Sequence, residues 1–382
     1  MLGRHVTLFR LLGFEVKLDL SWIFLAVLVT WTLAAGYFPS AHPGLGTPAY
    51  WSMAVIGALG LFASIVLHEL SHSVVARGYG MQIAGITLFI FGGVAEMREE
   101  PPSARAEFFM AIAGPIASLV LAGLFALLAG MTGGETSAIG IVFGYLALIN
   151  LILAVFNMVP AFPLDGGRAL RAVLWGWKDD IRWATRITAS MGFAFGLFLM
   201  ALGLMSLLGG NVIGGLWWGL IGLFLAGAAR ASASQLETKA TLAHERVAAR
   251  MTRDPVTVTP DMELRDFAEL ALARGHRLYP VVSEGRLIGQ IETRVLSGLA
   301  RDRWPGMTVR DRMMPAGEMP HLGADATLAD AMDLMTRTGR SRLLVTAGDG
   351  PPLHLAGILV LRDILRVLEL RAELHVPETP AR

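Results

Sequence analysis

The sequence predicts a polytopic α-helical membrane protein with six spans, followed by a smaller α+β domain at the C-terminus. Composition is the first observation behind this prediction: 54% of the 382 residues are hydrophobic and 16% are charged, whereas charged residues make up about 25% of a typical soluble domain. The second observation is that the long charge-free stretches all lie before Arg230. The third is an internal repeat in the more polar residues that follow, so at least two domains are expected.

Charge-free stretches long enough to cross a bilayer define the membrane domain. A helix needs about 20 residues to cross the hydrocarbon layer. The last stretch is long enough for two crossings, and Gly209–Asn211 supplies a turn in its middle. The predicted stretches are Leu20–Phe38, Tyr50–Leu67 with an apolar continuation towards Ala76, Phe108–Gly134, Thr136–Leu164 and Ile187–Ala229.

Lys and Arg residues predict how these spans are oriented, because such residues concentrate in loops on the cytoplasmic side. They occur before span 1 and in the loops after spans 2 and 4, whereas the loops after spans 1, 3 and 5 contain none. We therefore predict an integral, multi-pass protein of the plasma (inner) membrane, with both termini and everything after Arg230 in the cytoplasm. The residues counted are Arg4, Arg10, Lys17, Arg77, Arg98, Arg105, Arg168, Arg171, Lys178, Arg182 and Arg186.

The segment Met81–Met97 is apolar and rich in β-formers, but it is too short to span a membrane as a helix. Its Gly92–Gly93 pair also disfavours a helix. One interpretation is a strand or hairpin that dips into the cytoplasmic side of the protein, where its backbone is buried or lines a wet cavity. The alternative is a surface loop that rests on the lipid headgroups.

Span 2 ends in the sequence His68-Glu69-Leu70-Ser71-His72. In a helix, both histidines lie on one face and can hold one Zn²⁺, and Glu69 beside them is placed to take a proton from the attacking water. Ionisable groups inside a membrane helix are functional by default, whereas a polar cluster that seals helix packing is the alternative. The chain has no cysteine, so a metal has to be held by His, Asp or Glu.

Asp165 is the candidate for the third protein ligand, which a catalytic zinc needs beside one open position. It follows Pro160 and Pro163, which interrupt the helix of span 4, and it precedes Gly166–Gly167. Because spans 2 and 4 both end on the predicted cytoplasmic side, Asp165 and His72 are expected at a similar depth. The alternative for Asp165 is a turn residue in an Asp-Gly pair that ends a helix.

These motifs together resemble the site-2 protease family of intramembrane zinc metalloproteases (peptidase M50). The resemblance covers roughly residues 8–230. One departure is Ser118, which stands where this family often has Asn. The similar stretches are LFRLLGFEVKLDLSW near the N-terminus, HELSH at 68–72, FGGVA at 91–95, AGP at 113–115 and NMVPAFPLDGGR at 157–168.

The resemblance implies roles for individual residues. His68, His72 and Asp165 are expected to bind one Zn²⁺ per chain. Glu69 is expected to act as the general base. Asn157 is expected to contact the substrate or an intermediate, although a buried Asn that caps a broken helix is the alternative.

The residues after the last span read as alternating short strands and helices, and they contain two copies of one unit. Both copies resemble CBS domains, through MTRDPVTV at 251–258 and GILVLRDIL at 357–365. The predicted domains are 1–235 for the intramembrane metalloprotease, 247–306 for CBS-like unit 1 and 307–372 for CBS-like unit 2. The positions that recur at a constant spacing are Asp261, Leu264, Asp266, Leu270, Gly275 and Val281, repeated as Asp325, Leu328, Asp330, Leu334, Gly339 and Val345.

CBS pairs commonly bind adenine nucleotides in the cleft between the copies, but this sequence departs from the nucleotide pattern. A Ser or Thr usually follows the Gly-apolar-apolar start, with an Asp three positions later. The first copy has Glu292 and Val295 at these positions, and the second has Val360 and Asp363. Binding of an adenine nucleotide therefore stays open, and the alternative is a pair that mediates only homodimerisation.

The predicted function is that of an intramembrane zinc endopeptidase, a hydrolase that cleaves transmembrane segments in regulated intramembrane proteolysis under control of the CBS pair. Its expected partners are a single-span membrane protein substrate and the lipid bilayer, and the net charge of +1 indicates no nucleic acid. The rival is a CBS-regulated transporter or channel that uses His68, Glu69 and Asp165 as an ion path. The sequence disfavours this rival, because these groups lie at one depth and the membrane half shows no inverted repeat.

Overall fold

The computed structural model describes residues 6–81, 83–89, 92–97, 100–348, 350 and 352–374. Arg4, Phe91 and Arg98, which enter the sequence analysis, lie outside this part of the chain. The chain divides into two compact units, Met1–Ser234 and Gln235–Arg382. The division of the C-terminal region into one CBS-like unit that ends at residue 306 and a second that begins at residue 307 stays a prediction.

Six helices in the described part of the chain are apolar and long enough to cross a membrane, which confirms the predicted number of spans. A shorter helix lies between the fourth and fifth of them. The helices are α1 (Leu20–Thr32), which continues through a π-helical turn into α2 (Phe38–Ala41), α3 (Thr47–Gly78), α4 (Ala104–Met131), α5 (Ala138–Asn157), α6 (Asp165–Lys178), α7 (Ile181–Leu208) and α8 (Val212–Ala243).

The end of the fourth span differs from the prediction. The helix α5 stops at Asn157, so the predicted span Thr136–Leu164 is too long at its C-terminal end. Pro160 and Pro163 explain this, because proline lacks the backbone N–H that continues a helix and its ring clashes with the preceding turn. Asp165 is therefore the first residue of a new helix, α6, and not the last residue of the span.

A four-stranded sheet belongs to the same unit as the spans. Its strands are β1 (Val6–Leu11), β2 (Phe14–Leu18), β3 (Ile83–Phe89) and β4 (Gly92–Met97). The order is β1-β2-β3-β4, with antiparallel pairs at both ends and a parallel pair in the middle. The hairpin β3-β4 agrees with the strand-or-hairpin interpretation of residues 81–97, and the surface-loop alternative is wrong.

The sheet packs directly on the helix that carries the HELSH motif. Val16 of β2 and Ile86 and Leu88 of β3 are buried in one hydrophobic cluster with Val66 and Leu70 of α3. Ile86 and Leu88 are two residues apart and therefore project from the same face of the strand. The contact fixes the sheet beside the part of α3 that contains His68.

The C-terminal unit contains two helix-and-sheet modules. The elements are α9 (Leu264–Arg274), β5 (Leu278–Ser283), β6 (Arg286–Glu292), α10 (Arg294–Ser297), β7 (Met314–Pro315), β8 (His321–Gly323), α11 (Leu328–Thr338), β9 (Arg342–Thr346), β10 (Leu355–Val360) and α12 (Leu361–Leu374). The strands form two sheets with the orders β5-β6-β7 and β10-β9-β8.

Repeated sequence positions occupy equivalent places in the two modules. Leu264 and Leu328 begin helices α9 and α11 and are fully buried. Gly275 and Gly339 end the same helices with φ of +69° and +64°, a left-handed conformation that favours glycine. The internal repeat therefore corresponds to a repeat of structure.

The core of the second module also includes residues that precede the first module in the chain. Leu242 and Val247 are buried in one cluster with Leu328 and Leu343. The Val247 N–H donates to the Ala326 carbonyl at 2.9 Å. An isolated fragment of this unit would therefore need to begin before Leu242 to keep its core.

Candidate metal centre

The C-terminal half of α3 places both histidines of the HELSH motif side by side. His68 and His72 are four residues apart in an unbroken helix that continues to Gly78, so both rings leave the same face. Their ring centroids are 4.9 Å apart. His68 is buried and His72 is partly buried, so both rings lie inside the protein.

Asp165 meets the two histidine rings, although it is far from them in sequence. Its Oδ2 lies 3.1 Å from His68 Nε2 and 3.2 Å from His72 Nε2. The two Nε2 atoms are themselves 3.2 Å apart. Ligands about 2.05 Å from a tetrahedral Zn²⁺ are about 3.3 Å from one another. The three donor atoms therefore fit the ligand spacing of a zinc ion.

Hydrogen bonds at the opposite ring nitrogens orient both imidazoles for metal binding. His72 Nδ1 lies 2.6 Å from the Met110 carbonyl oxygen, which can only accept, so a neutral His72 ring carries its proton on Nδ1 and keeps the Nε2 lone pair for a metal. His68 Nδ1 lies 2.8 Å from Ser118 Oγ, which can accept in the same way. Such partners fix the tautomer and orientation of histidines that bind metals.

Helix α4 makes room for the rings by carrying a glycine opposite them. A Cβ at Gly114 would lie well inside van der Waals contact of Nε2 of both His68 and His72. Met110, Gly114 and Ser118 are four residues apart on α4, so one face supplies the carbonyl acceptor, the space and the hydroxyl. The AGP motif therefore corresponds to a cradle for the two imidazoles.

The turn before α6 places Asp165 beside the two imidazole rings. The Phe162 N–H donates to the Thr188 carbonyl of α7 at 3.2 Å, which ties the turn to a neighbouring span. Side chains at Gly166 and Gly167 would collide with the backbone of the same turn. The DGG sequence is therefore needed for the chain to fold back so tightly at this point.

Glu69 lines a cavity together with the three ligand candidates. The cavity has a volume of about 520 Å³. Its wall is mostly apolar and comes from several spans, including Phe156 of α5 and Trp217 and Phe224 of α8. Strand β4 approaches closely, because a Cβ at Gly93 would collide with the Glu69 side chain. The Glu69 side chain thus lies against β4 on the wall of the cavity that the histidines also line.

Asn157 also lines the cavity, at the end of α5. Its Nδ2 donates to the Leu153 carbonyl at 3.0 Å. A carboxamide has a second N–H and an oxygen besides this donor. Asn157 therefore bonds back to its own helix and lines the cavity, and its expected contact with a substrate stays a prediction.

The charges of the site are those expected around a divalent cation. Glu69 and Asp165 bring two carboxyl groups to an apolar, largely buried cavity. Two carboxylates in such surroundings are strongly destabilised unless they are compensated. A bound Zn²⁺ would balance both charges. Within the described residues, His68, His72 and Asp165 form the one group of His, Asp and Glu arranged to hold a metal ion.

Several residues near the site could not be identified from the sequence as parts of it. The Met110 carbonyl is a backbone group and leaves no signal in a motif. Ser118 was visible as a departure from the family pattern, but its contact with His68 was not. In the sequence, Arg171 is only one of the loop charges that indicate orientation, whereas in the structure its guanidinium pairs with the buried Glu107.

Family models match both units of the chain. The model of peptidase family M50 matches residues 56–141 and 130–202. The model of the CBS domain matches residues 246–295 and 309–370. These matches include the HELSH motif, Asp165 and both copies of the C-terminal repeat.

Similar proteins align along nearly the whole chain. Rip3 of Mycobacterium tuberculosis is 36% identical over 370 residues, which is 96% of this chain and 93% of Rip3. The zinc metalloprotease MJ0392 of Methanocaldococcus jannaschii is 32% identical over 374 residues, which is 97% of this chain and 98% of that protein. The solved structure of a site-2 protease from Methanocaldococcus jannaschii is 29% identical, with a TM-score of 0.42, and covers 60% of this chain and 95% of that one.

The relatives share both the membrane unit and the C-terminal unit with this chain, because the alignments cover almost all of each sequence. The six apolar helices agree with a multi-pass membrane protein. The chain therefore belongs to peptidase family M50, and it is a membrane zinc metalloprotease of the site-2 protease family with a C-terminal pair of CBS domains.

Proposed function

We propose that this protein is an intramembrane endopeptidase that cleaves a peptide bond in or beside a transmembrane segment of another protein, as part of regulated intramembrane proteolysis. The observation that carries the proposal is the cluster of His68, His72 and Asp165, with Glu69 beside it, on the wall of a mostly apolar cavity among the spans. Such a cavity suits a hydrophobic segment, and the few polar groups in it converge on one point.

The side chains have distinct roles in this proposal. His68, His72 and Asp165 hold the zinc, which when bound supplies a Lewis acid for the scissile carbonyl and for water. Glu69 takes the proton of the attacking water as the water oxygen bonds to the carbonyl carbon. It returns the proton to the leaving amine as the C–N bond breaks. Asn157 binds the substrate through the amide groups not used by the Leu153 carbonyl.

Substrate is proposed to bind as an extended strand along β4. A helical substrate shields its carbonyl groups, so it must unwind locally before cleavage. In the sheet formed by the described residues, β4 is an edge strand, and its Gly93 lies against Glu69. An unwound segment that adds to this edge would gain backbone hydrogen bonds and pass the catalytic carboxyl group.

The proposed setting is the inner (plasma) membrane, with both termini and the CBS pair in the cytoplasm. The positively charged loops support this orientation. The expected substrate is a single-span membrane protein, and a homodimer formed through the CBS pair stays a prediction. The described residues do not support the rival hypothesis of a transporter or channel. Among them, the candidate metal ligands form one compact cluster and not a path across the membrane.

Cleavage is tested by co-expressing the protein with a panel of tagged single-span membrane proteins. The wild type should release a shortened fragment from at least one of them, cut within or next to its span. A variant with His68→Ala and His72→Ala, which lacks two of the three ligands, should release none. The proposal fails if the fragments with the double variant match those with the wild type.

A carboxylate in the cleft of the CBS pair supports the expectation that nucleotide binding is weak. A cavity of about 230 Å³ is lined by four arginines together with Glu292. Glu292, at the position where CBS domains usually have Ser or Thr, accepts from Arg340 at 2.7 Å and pairs with Arg294 at 2.8 Å. We propose that this carboxylate occupies donors that an anionic ligand would need. The four arginines are Arg277, Arg294, Arg340 and Arg342.

Calorimetry of the full-length protein with AMP and ATP tests this proposal. The wild type should bind either nucleotide weakly or not at all. Glu292→Thr restores the usual hydroxyl and releases Arg294 and Arg340 from their ion pairs. We therefore expect nucleotide binding to become at least about tenfold tighter, which corresponds to the free energy of one or two hydrogen bonds. Micromolar binding of the wild type at two sites would contradict the proposal and would favour regulation by nucleotides.

A further inference from the structure

A buried ion pair joins α6 to α4 at the base of the metal centre. Glu107 lies in the first turn of α4 and is fully buried. Its Oε1 accepts from Arg171 Nε of α6 at 2.7 Å, and Arg171 Nη2 contacts the same oxygen. The guanidinium also packs over the Phe162 ring, 5.3 Å from its centroid, and Nη1 lies 3.5 Å from the Thr185 hydroxyl of α7. Arg171 thus contacts α4, α7 and the turn that precedes Asp165.

Stability alone does not account for this pair. A buried ion pair is commonly no more stabilising than apolar side chains of the same volume. Within the described residues, the other oxygen of Glu107, Oε2, is buried and has no hydrogen-bond partner. A buried carboxylate with one oxygen that accepts no hydrogen bond stabilises the fold less than an apolar side chain of similar size would. A role in fixing the relative position of the two helices is therefore the better explanation.

The pair connects the two helices whose relative position decides whether three ligands can meet. Helix α4 orients both histidine rings through the Met110 carbonyl and Ser118, and helix α6 begins with Asp165. On α4, Glu107 lies on the same face as Gly114, two turns before it. The rigid, planar guanidinium holds one Glu107 oxygen through two of its N–H groups, which fixes direction as well as distance, so it can set α6 against this face of α4.

We propose that Glu107 and Arg171 are positioning residues that hold Asp165 within reach of the two histidines. The inference rests on the proposed zinc site, but neither residue touches the ligand atoms. Loss of the pair should let α6 shift and should separate Asp165 Oδ2 from the two Nε2 atoms. The histidine pair, which is set by α3 and α4, should remain in place.

The test measures zinc affinity of the purified full-length protein by competition with a chelator, and it records the visible spectrum after cobalt substitution. Glu107→Gln keeps the volume of the side chain but removes its charge, and it should weaken zinc binding by about 10- to 100-fold, the usual effect of a residue that orients ligands. The cobalt spectrum should change because one ligand moves. Arg171→Lys keeps the charge but loses the fork, so it should give a smaller change in the same direction.

The matched control is Glu15→Gln, which removes a carboxylate that pairs with Arg10 on the β1-β2 hairpin of the same unit. It should leave zinc affinity and the cobalt spectrum unchanged. Excess zinc should restore cleavage by the Glu107→Gln variant, because the substitution is expected to lower only its affinity for zinc. The inference is overturned if the variant binds zinc with wild-type affinity and spectrum, even when its thermal stability falls. Absence of zinc from the wild type would instead refute the proposed function itself.

Discussion

Replacing Glu69 with glutamine is expected to leave the zinc in place and to slow peptide cleavage by at least about 100-fold. Glutamine has nearly the same volume as glutamate, so it can occupy the same space beside Gly93, but it cannot accept a proton from water. General-base catalysis contributes about 10²–10⁴-fold in enzymes. The measurement compares zinc content and the rate of fragment release between the wild type and Glu69→Gln.

Glu135→Gln is the control for the loss of a negative charge, because Glu135 is exposed in the short turn between α4 and α5. This variant should keep both zinc and activity. If Glu69→Gln cleaves at a near-normal rate, the carboxyl group is structural and another base has to be found. If it loses zinc, Glu69 contributes to holding the metal.

Replacing Gly114 with alanine should expel the metal and abolish cleavage. The added methyl group would lie in the space that both Nε2 atoms occupy, so at least one imidazole must turn away from Asp165. A catalytic zinc is held by only three protein ligands, so displacing one of them should weaken its binding strongly. We expect the purified variant to contain less than about one tenth of the zinc of the wild type, as measured by metal analysis.

Gly123→Ala is the matched control on the same helix. Gly123 is exposed, and nothing lies within 4 Å of a Cβ built there. The change should therefore leave zinc content unaltered, and it tests whether any loss of glycine from α4 disturbs the fold. Equal zinc in Gly114→Ala and Gly123→Ala would mean that the cradle can widen and that Gly114 is not required.

Local patterns were enough for the parts of this protein that depend on neighbouring residues in the chain. Bilayer thickness sets the length of an apolar helix, so charge-free stretches alone predict six spans. The spacing of His68 and His72 places both rings on one helical face. The repeat in the C-terminal region predicts two similar modules, because matching residues such as Gly275 and Gly339 perform the same local task.

Predictions failed or stayed open where distant residues decide the outcome. Pro160 and Pro163 end the fourth span early, but the place of Asp165 beside the histidines depends on how the turn after Asn157 packs against α7. The sequence alone left open whether residues 81–97 form a strand or hairpin or a surface loop. In the structure, β3 forms a parallel pair with β2, which comes from the N-terminal part of the chain. A strand on its own does not reveal which backbone it will pair with.

The sequence by itself determined the class of this protein: an apolar, six-span chain with a HELSH helix, a distant Asp-Gly-Gly turn and a duplicated C-terminal module. The tertiary structure alone decided how the proposed metal centre is assembled, with Met110 and Ser118 of α4 contacting the rings, Gly114 leaving space for them, and the Glu107–Arg171 pair joining α4 to α6. The physical reason is that helical periodicity and hydrophobicity act over a few residues and can be read along the chain. Ligand geometry, in contrast, depends on distances of about 3 Å between side chains of different helices, and only their packing sets those distances.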